Sequence, residues 1–168
     1  MKKIYLLILF SLYLFGAEKL YFLPDDGKKA EKEIVKLITH SHQNIKIAIY
    51  TFTNKKMLNA IKKVARRGVK VQIIADYESN KNQLHYSIVP ILKKLRNIKV
   101  KLLRGKGGGN YKGIMHIKML IIDDRVVVFG SANYTYSAFY KNFEILYIND
   151  DWTFTRKFVK LFHKLWYK

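Results

Sequence analysis

The spacing of hydrophobic positions changes along the chain, and these changes predict an order of strands and helices. Apolar residues at helical spacing predict three long helices, over residues 28–40, from the Asn54 cap to the Gly68 stop, and over 151–167. Alternating or β-rich runs predict strands over residues 20–23, 45–52, 69–76, 98–103, 115–122, 126–129 and 144–148. Residues 77–95 are expected to be helical mainly in their second half, where Pro90 favours a late start. This order predicts a single-domain α/β sandwich with a mixed β-sheet flanked by helices.

The first seventeen residues have the layout of a secretory signal peptide. Lys2 and Lys3 precede an uncharged apolar run over residues 4–15, and small residues follow it. The run is shorter than the ~20 residues of a membrane-spanning helix. Bulky Phe15 lies three positions before a cut after Ala17, so cleavage and retention as a membrane anchor both stay open. We therefore expect an exported protein, periplasmic or held at the cell envelope, with its folded domain over residues 18–168.

Charge and composition narrow the class of partner. The 168 residues include 32 Lys and Arg against 12 Asp and Glu, a net charge of +20. Such a charge on one domain favours binding to a polyanionic partner, either nucleic acid or an anionic membrane surface. The chain has no Cys, which excludes a disulfide framework, a thiol nucleophile and a Cys-ligated zinc site. No cluster of His, Asp and Glu has convincing metal-ligand spacing, so we expect neither a metal nor a cofactor.

Candidate catalytic groups are concentrated around one stretch, MHIKMLIIDDRVVVFGSAN. His116 and Lys118 are two positions apart on a predicted strand and therefore share a face. A neighbouring ammonium keeps an imidazole neutral, available as a nucleophile or base, and offers a place for an anion. Ser131 and Asn133 supply a hydroxyl and an amide suited to phosphate oxygens. Glu144, on the following strand, is predicted to accept the second N–H of the imidazole.

These groups form a motif of fixed spacing: His116-x-Lys118, four residues, Asp123, six residues, then Gly130-Ser131-x-Asn133. The motif resembles the signature of the phospholipase D superfamily, and most closely that of its single-motif bacterial endonuclease branch. The resemblance covers about residues 20–167. It implies hydrolysis of a phosphodiester in two steps, through a covalent phosphohistidine and without a metal. Larger members carry two copies of the motif, so the single copy here implies a homodimer with a shared active site.

The resemblance also implies roles for individual residues. His116 is the nucleophile in one subunit and the general acid and base in the other. Lys118 and Asn133 bind the non-bridging phosphate oxygens, with Ser131 as a further phosphate contact or supporting donor. Glu144 orients His116. A structural role is expected for Asp123, because it lies at the far end of the predicted strand.

The residues around the motif favour a nucleic-acid substrate, although the superfamily cleaves both lipids and nucleic acids. Basic and aromatic side chains predicted to bind substrate lie in a glycine-rich break and just after the motif: Arg104, Lys106, Tyr111, Lys112, Tyr134, Tyr136 and Phe139. Rings interleaved with basic groups suit the unstacked bases of single strands. No base-reading motif is present, so we expect cleavage of DNA without sequence specificity and with a preference for single strands, while RNA stays open as an alternative substrate.

Two other functions stay open. The first is an envelope phospholipase, for example a cardiolipin hydrolase, which needs an apolar groove for acyl chains. No long exposed apolar stretch is indicated outside the leader. The second is a DNA-binding or DNA-uptake protein without catalysis, which is hard to reconcile with an intact motif. The helix over residues 151–167 offers an amphipathic face for membrane association, but its apolar side is expected to pack on the sheet.

Overall fold

The computed structural model describes residues 18–81, 87–108 and 112–168. Seven strands of these residues form one sheet: β1 (Glu18–Leu23), β2 (Asn44–Ile49), β3 (Lys70–Asp76), β4 (Ile98–Leu103), β5 (Lys118–Ile122), β6 (Val126–Gly130) and β7 (Glu144–Asn149). Their order in the sheet is β1-β7-β6-β5-β2-β3-β4. β2 pairs in parallel with β3, and β3 with β4, while the other neighbours are antiparallel. The mixed sheet predicted from the sequence is confirmed.

Helices flank both faces of the sheet: α1 (Gly27–Thr39), α2 (Lys55–Arg66), α3 (Tyr77–Asn80), α4 (Val89–Lys93), α5 (Tyr136–Tyr140) and α6 (Trp152–Trp166). Asn54 begins α2 as predicted, because its side-chain oxygen accepts a hydrogen bond from the Met57 N–H at 3.0 Å. Asp151 caps α6 in the same way through the Phe154 N–H, at 2.6 Å. α4 starts late, next to its proline, as the sequence indicates.

Alternate residues of the central strands point to two separate apolar layers. Ile47 and Leu120 lie in the larger layer, which packs on α1, α2, α4 and α5. Ala48 and Ile121 lie in the smaller layer, where Phe162 of α6 is fully buried. The apolar side of the last helix therefore packs on the sheet, as expected.

Two strands are shorter than their hydrophobic patterns predict. β2 ends at Ile49, and Phe52 beyond it forms only an isolated parallel bridge with Tyr134. β5 begins at Lys118, because the Met115 N–H donates to the buried carboxylate of Asp76, at 2.9 Å, instead of to a neighbouring strand. His116 therefore lies in the segment that leads into β5.

The predicted leader, residues 1–17, lies outside the described residues, so it and the domain boundary after it stay predictions. Within the described ranges, no helix combines the length and the apolar character that crossing a bilayer requires.

Candidate active site

His116 is placed where β5 begins, beside the carboxyl ends of β2 and β3. Its ring packs on that of Tyr50, the residue after β2, with 4.8 Å between ring centroids and 60° between ring planes. The backbone before it is held by Asp76, the last residue of β3, through the Met115 N–H. Tyr50 and Asp76 were missed by sequence reasoning. The only sequence signal for them is that both are polar residues at the carboxyl ends of apolar strands.

Lys118 is a buried cation without a counterion in the described part of the chain. Its side chain is 6% exposed, and its Nζ donates to the carbonyl oxygen of His116 at 2.8 Å. Nζ lies 5.4 Å from the centre of the Tyr50 ring, and no carboxylate of the described residues forms an ion pair with it. Burial lowers the pKa of Lys118, an effect that the charge of Glu144 opposes. A buried ammonium that has no counterion is stabilised by a bound anion.

The same surroundings favour the neutral form of His116. The imidazole is exposed as a whole, but partial desolvation by neighbouring groups lowers its pKa below the ordinary value of 6.5, and the positive charge of Lys118 lowers it further. The carboxylates of Asp76 and Glu144 act in the opposite direction but do not reverse the shift. A neutral imidazole has the lone pair that a nucleophile needs.

Asn133 presents the amide end of its side chain for a further contact. Its Oδ1 accepts a hydrogen bond from the Thr51 N–H at 3.1 Å, which fixes the orientation of the amide. The two N–H groups of Nδ2 donate to no acceptor among the described residues. Asn133 thus supplies donors of the kind that phosphate oxygens accept.

Ser131 and Glu144 contact each other instead of His116. The Ser131 hydroxyl donates to Glu144 Oε2 and accepts from the Ile145 N–H at 3.1 Å. No hydrogen bond joins Glu144 to the imidazole within the described chain, so the predicted orienting contact is absent. The reason is the pairing of β6 with β7, which places Ser131 directly beside the start of β7. Glu144 acts on His116 through charge alone, and the single proton of Ser131 is already engaged.

Asp123 lies at the opposite end of β5 and makes structural contacts. Its carboxylate accepts hydrogen bonds at 2.9 Å from the Ser41 hydroxyl and from the N–H groups of His42, Gln43 and Asn44. Burial raises the pKa of this carboxyl, but the four hydrogen bonds outweigh burial and lower it. These contacts fasten the β5–β6 turn to the start of β2, which is the kind of role expected from the sequence.

Two of the aromatic residues predicted to bind substrate are buried instead. Tyr134 and Phe139 are 1% and 0% exposed, so their prediction as base contacts is wrong. Tyr134 packs edge-on against Phe52, with ring centroids 5.5 Å apart, and burial raises the pKa of its hydroxyl. Phe139 lies on the side of α5 that faces α1.

The remaining predicted substrate residues lie at the surface, apart from Tyr111, which is outside the described residues. Lys106 and Lys112 are exposed, and Tyr136 is 64% exposed. Arg104 is exposed as well, and its guanidinium stacks on the Tyr77 ring at 3.5 Å and pairs with the carboxylate of Glu78, at 3.1 Å. These four side chains are therefore accessible to a substrate.

The glycine-rich loop has a closed base. The Gly105 N–H donates to the Gly113 carbonyl oxygen at 3.0 Å. A Cβ on Gly105 would lie 2.6 Å from the Gly113 backbone, and a Cβ on Gly113 would lie 2.1 Å from the Lys106 carbonyl oxygen. These two glycines therefore allow the chain to approach itself at the base of the loop.

In the described part of the chain, no group of three or more His, Asp or Glu side chains could hold a metal ion. The arrangement that remains is a neutral imidazole, a buried ammonium and a fixed amide. Together these groups can hold an anion and attack it.

Comparison with known proteins identifies the family. Residues 34–166 match the family model described as "Cardiolipin synthase, PLD-like domain". NucT from Helicobacter pylori is 42% identical, with a TM-score of 0.86 over 89% of this chain and 95% of that chain. Nuc, a phospholipase D family member from Salmonella typhimurium, is 22% identical and has the same fold, with a TM-score of 0.73 over 90% of this chain and 94% of that chain.

A curated relative is the mitochondrial cardiolipin hydrolase of Xenopus laevis, 27% identical over 146 residues. The match covers 86% of this chain and 64% of that protein, so this chain spans less than two thirds of the length of that relative. The family model and the similarity to NucT confirm the resemblance drawn from the motif. The chain belongs to the PLD-like domain family of the phospholipase D superfamily, a family that includes phosphodiester hydrolases.

Proposed function

We propose that the chain is a metal-independent nuclease that hydrolyses single-stranded DNA without sequence specificity, through a phosphohistidine intermediate. The observation that carries the proposal is the pair formed by His116 and Lys118. The imidazole has a lowered pKa, and beside it a buried ammonium has no counterion among the described residues. A scissile phosphate supplies the missing anion and at the same time the electrophile.

The proposed reaction has two displacements at phosphorus. In the first, a ring nitrogen of neutral His116 forms a bond to phosphorus while the bond to the leaving oxygen breaks, and that oxygen takes a proton from a second imidazole, which enters the step as imidazolium and leaves it neutral. In the second, the second imidazole removes a proton from water, the water oxygen attacks phosphorus, and the phosphorus–nitrogen bond breaks. Lys118 and Asn133 stabilise the charge that builds on the non-bridging oxygens.

The second imidazole is proposed to be His116 of another copy of the chain, because the sequence holds one copy of the motif. A shared site predicts that the active species is a homodimer. Analytical ultracentrifugation combined with activity measurements tests this, and an active monomer would contradict it.

Preference for nucleic acid is supported by charge and by exposed rings. All of the net charge of +20 except that of Lys2 and Lys3 belongs to a single small domain. Lys106, Lys112 and Tyr136 are exposed on the segments that flank the motif. Exposed ammonium groups and an exposed ring are features that suit the binding of a flexible, unpaired strand. NucT, at 42% identity, is consistent with this substrate class.

The experiment uses the full chain with labelled single- and double-stranded DNA in excess EDTA. His116→Ala is compared with His163→Ala, a matched control because His163 is an exposed histidine on α6 that is not part of the motif. We expect wild type and His163→Ala to cut single strands faster than duplex and His116→Ala to cut neither. Cleavage that is abolished by EDTA, or that persists in His116→Ala, would contradict the mechanism.

A phospholipase is the second candidate, and one observation favours it. The pairing of β1 with β7 gathers apolar side chains that are separated along the sequence, and these are exposed: Leu20, Phe22, Phe143 and Ile145. Phe143, directly before Glu144, is 95% exposed. The local sequence pattern indicates no such surface outside the leader, because the four residues come together only when the strands pair. Cardiolipin vesicles offered to the same variants test this function, and hydrolysis of lipid with DNA left intact would replace the nuclease proposal.

Export to the cell envelope is proposed from residues 1–17 alone. Fractionation of cells expressing the full chain, compared with a chain lacking these residues, tests it. Equal retention of both forms in the cytoplasm would contradict export.

A further inference from the structure

A second concave surface lies close to the active site, between the start of α2 and α5. It encloses about 360 Å³, with a lining formed by Glu31, Thr53, Asn54, Lys55, Lys56, Tyr136 and Tyr140. None of these residues belongs to the motif, although Tyr136 is one of the predicted substrate contacts. We refer to this surface as the α2–α5 pocket.

Two chain segments, residues 51–54 and residues 133–134, run side by side from the active site to the α2–α5 pocket. At the active-site end, the Thr51 N–H donates to Oδ1 of Asn133 at 3.1 Å. Towards the pocket, the N–H groups of Thr53 and Asn54 both donate to the Tyr134 carbonyl oxygen, at 2.9 and 3.0 Å. Three extended residues span at most about 11 Å, so a neighbouring part of the same substrate can reach the pocket.

A buried carboxylate organises the floor of this pocket. Glu31 is 4% exposed. It accepts hydrogen bonds from Asn54 Nδ2 at 2.7 Å and from the Tyr140 hydroxyl at 2.6 Å, and it pairs with the Lys56 ammonium. Burial raises the pKa of Glu31, but these partners outweigh burial and lower it. The carboxylate therefore stays ionised and holds Tyr140 in place.

Tyr140 in turn supports an exposed ring. The rings of Tyr136 and Tyr140 stack, with centroids 4.9 Å apart and planes 29° apart, and Tyr136 is 64% exposed. The Lys141 ammonium lies 5.8 Å from the Tyr136 ring centre. Lys55 is exposed at the pocket rim and makes no ion pair with the described residues. A fixed ring beside an unpaired ammonium matches a base together with its phosphate.

We propose that the α2–α5 pocket is the subsite for the nucleotide next to the scissile phosphate. The base of this nucleotide stacks on the Tyr136 ring. The phosphate on the side of the nucleotide away from the scissile bond pairs with the Lys55 ammonium. This inference rests on the proposed nuclease function and assigns that function a second point of substrate contact, supplied by the fold on the Asn133 side of the site.

The test compares a substrate that reaches the α2–α5 pocket with one that does not. Full-length wild type, Tyr136→Ala and Tyr136→Phe are assayed on an oligothymidylate and on bis(p-nitrophenyl) phosphate. The readout is the ratio of the two kcat/KM values. Tyr167→Ala is the matched control, because Tyr167 is also an exposed tyrosine but follows α6. Loss of one stacked base is expected to lower the ratio about 5- to 100-fold in Tyr136→Ala. Tyr136→Phe, which keeps the ring, should restore most of it.

Different failures have different meanings. A wild-type chain that leaves oligothymidylate intact overturns the nuclease proposal and the subsite together. If wild type cuts DNA but Tyr136→Ala has the same ratio as Tyr167→Ala, the subsite alone is overturned. A Tyr136→Phe ratio as low as that of Tyr136→Ala overturns base stacking as the contact.

Discussion

The charged side chains at the two ends of β5 differ in whether the protein supplies their partners. At the carboxyl end, Asp123 accepts four hydrogen bonds, and neighbouring Asp124 pairs with the buried ammonium of Lys46. At the amino end, Lys118 is equally buried, but its Nζ contacts only a carbonyl oxygen and the face of a ring. A charge whose partners are all supplied by the protein serves the fold, whereas a charge left without a counterion is available to a ligand.

The largest effect that tests this comparison is the loss of chemistry at the amino end. His116→Ala removes the proposed nucleophile, and kcat/KM for DNA should fall by at least about 10³-fold. The side chain is exposed, so the free energy of unfolding in urea should stay within about 0.5 kcal/mol of wild type. A large loss of stability would place His116 among the structural residues and remove the contrast.

At the carboxyl end of β5, a substitution should lower the stability of the protein and leave its activity unchanged. Asp123→Asn places an amide against four donors and leaves at least one of them without an acceptor. Urea unfolding should show a loss of about 2–4 kcal/mol. Cleavage of DNA, measured at a temperature where the variant is folded, should stay close to wild type. A variant with wild-type stability and lost activity would show that the two ends do not differ in the way proposed.

The pH dependence of stability sharpens the assignment of Asp123. Its folded-state pKa is lowered from the ordinary value of 3.8, so the ionised carboxylate contributes stability above that value. This contribution is lost as the pH falls through the folded-state pKa, because protonation removes the acceptor. The gap in unfolding free energy between wild type and Asp123→Asn should therefore narrow below pH 3.8. A gap independent of pH would contradict the charge-based explanation.

The smallest effects concern the titration of His116, and two substitutions should shift it in opposite directions. Lys118→Gln removes a cation that disfavours imidazolium, so the pKa of His116 should rise. Glu144→Gln removes an anion that favours imidazolium, so the pKa of His116 should fall. NMR titration of the ring protons measures both, with the other histidines as internal references. Shifts of the same sign would contradict the electrostatic account.

The sequence predicted the parts of the site that depend on local spacing. His116 and Lys118 are two positions apart, and the motif that contains them led to the family that the comparisons confirm. The succession of strands along the chain also followed from local patterns, apart from the early end of β2 and the late start of β5, whereas the order of the strands in the sheet was not predicted. That late start depends on a contact between Met115 and Asp76, which are far apart in the sequence.

The predictions that failed required long-range information. Tyr134 and Phe139 looked like exposed rings because residues 132–142 are too short to show a clear period, and only their packing on Phe52 and α1 buries them. The predicted contact between Glu144 and His116 failed because Ser131 lies closer to Glu144 once β6 and β7 pair. Exposure and partner choice are set by the assembled sheet, and the local pattern does not encode them.

The backbone contacts that close the base of the glycine-rich loop have a consequence for the length of that loop. The length can change with little effect on the stability of the rest of the domain. The backbone contact between Gly105 and Gly113 holds the two stems together whatever lies between them. Doubling the length of a flexible loop adds only about 0.6 kcal/mol of closure entropy. We therefore expect that foreign sequence inserted after Gly107, upstream of His116, leaves the fold of the domain intact.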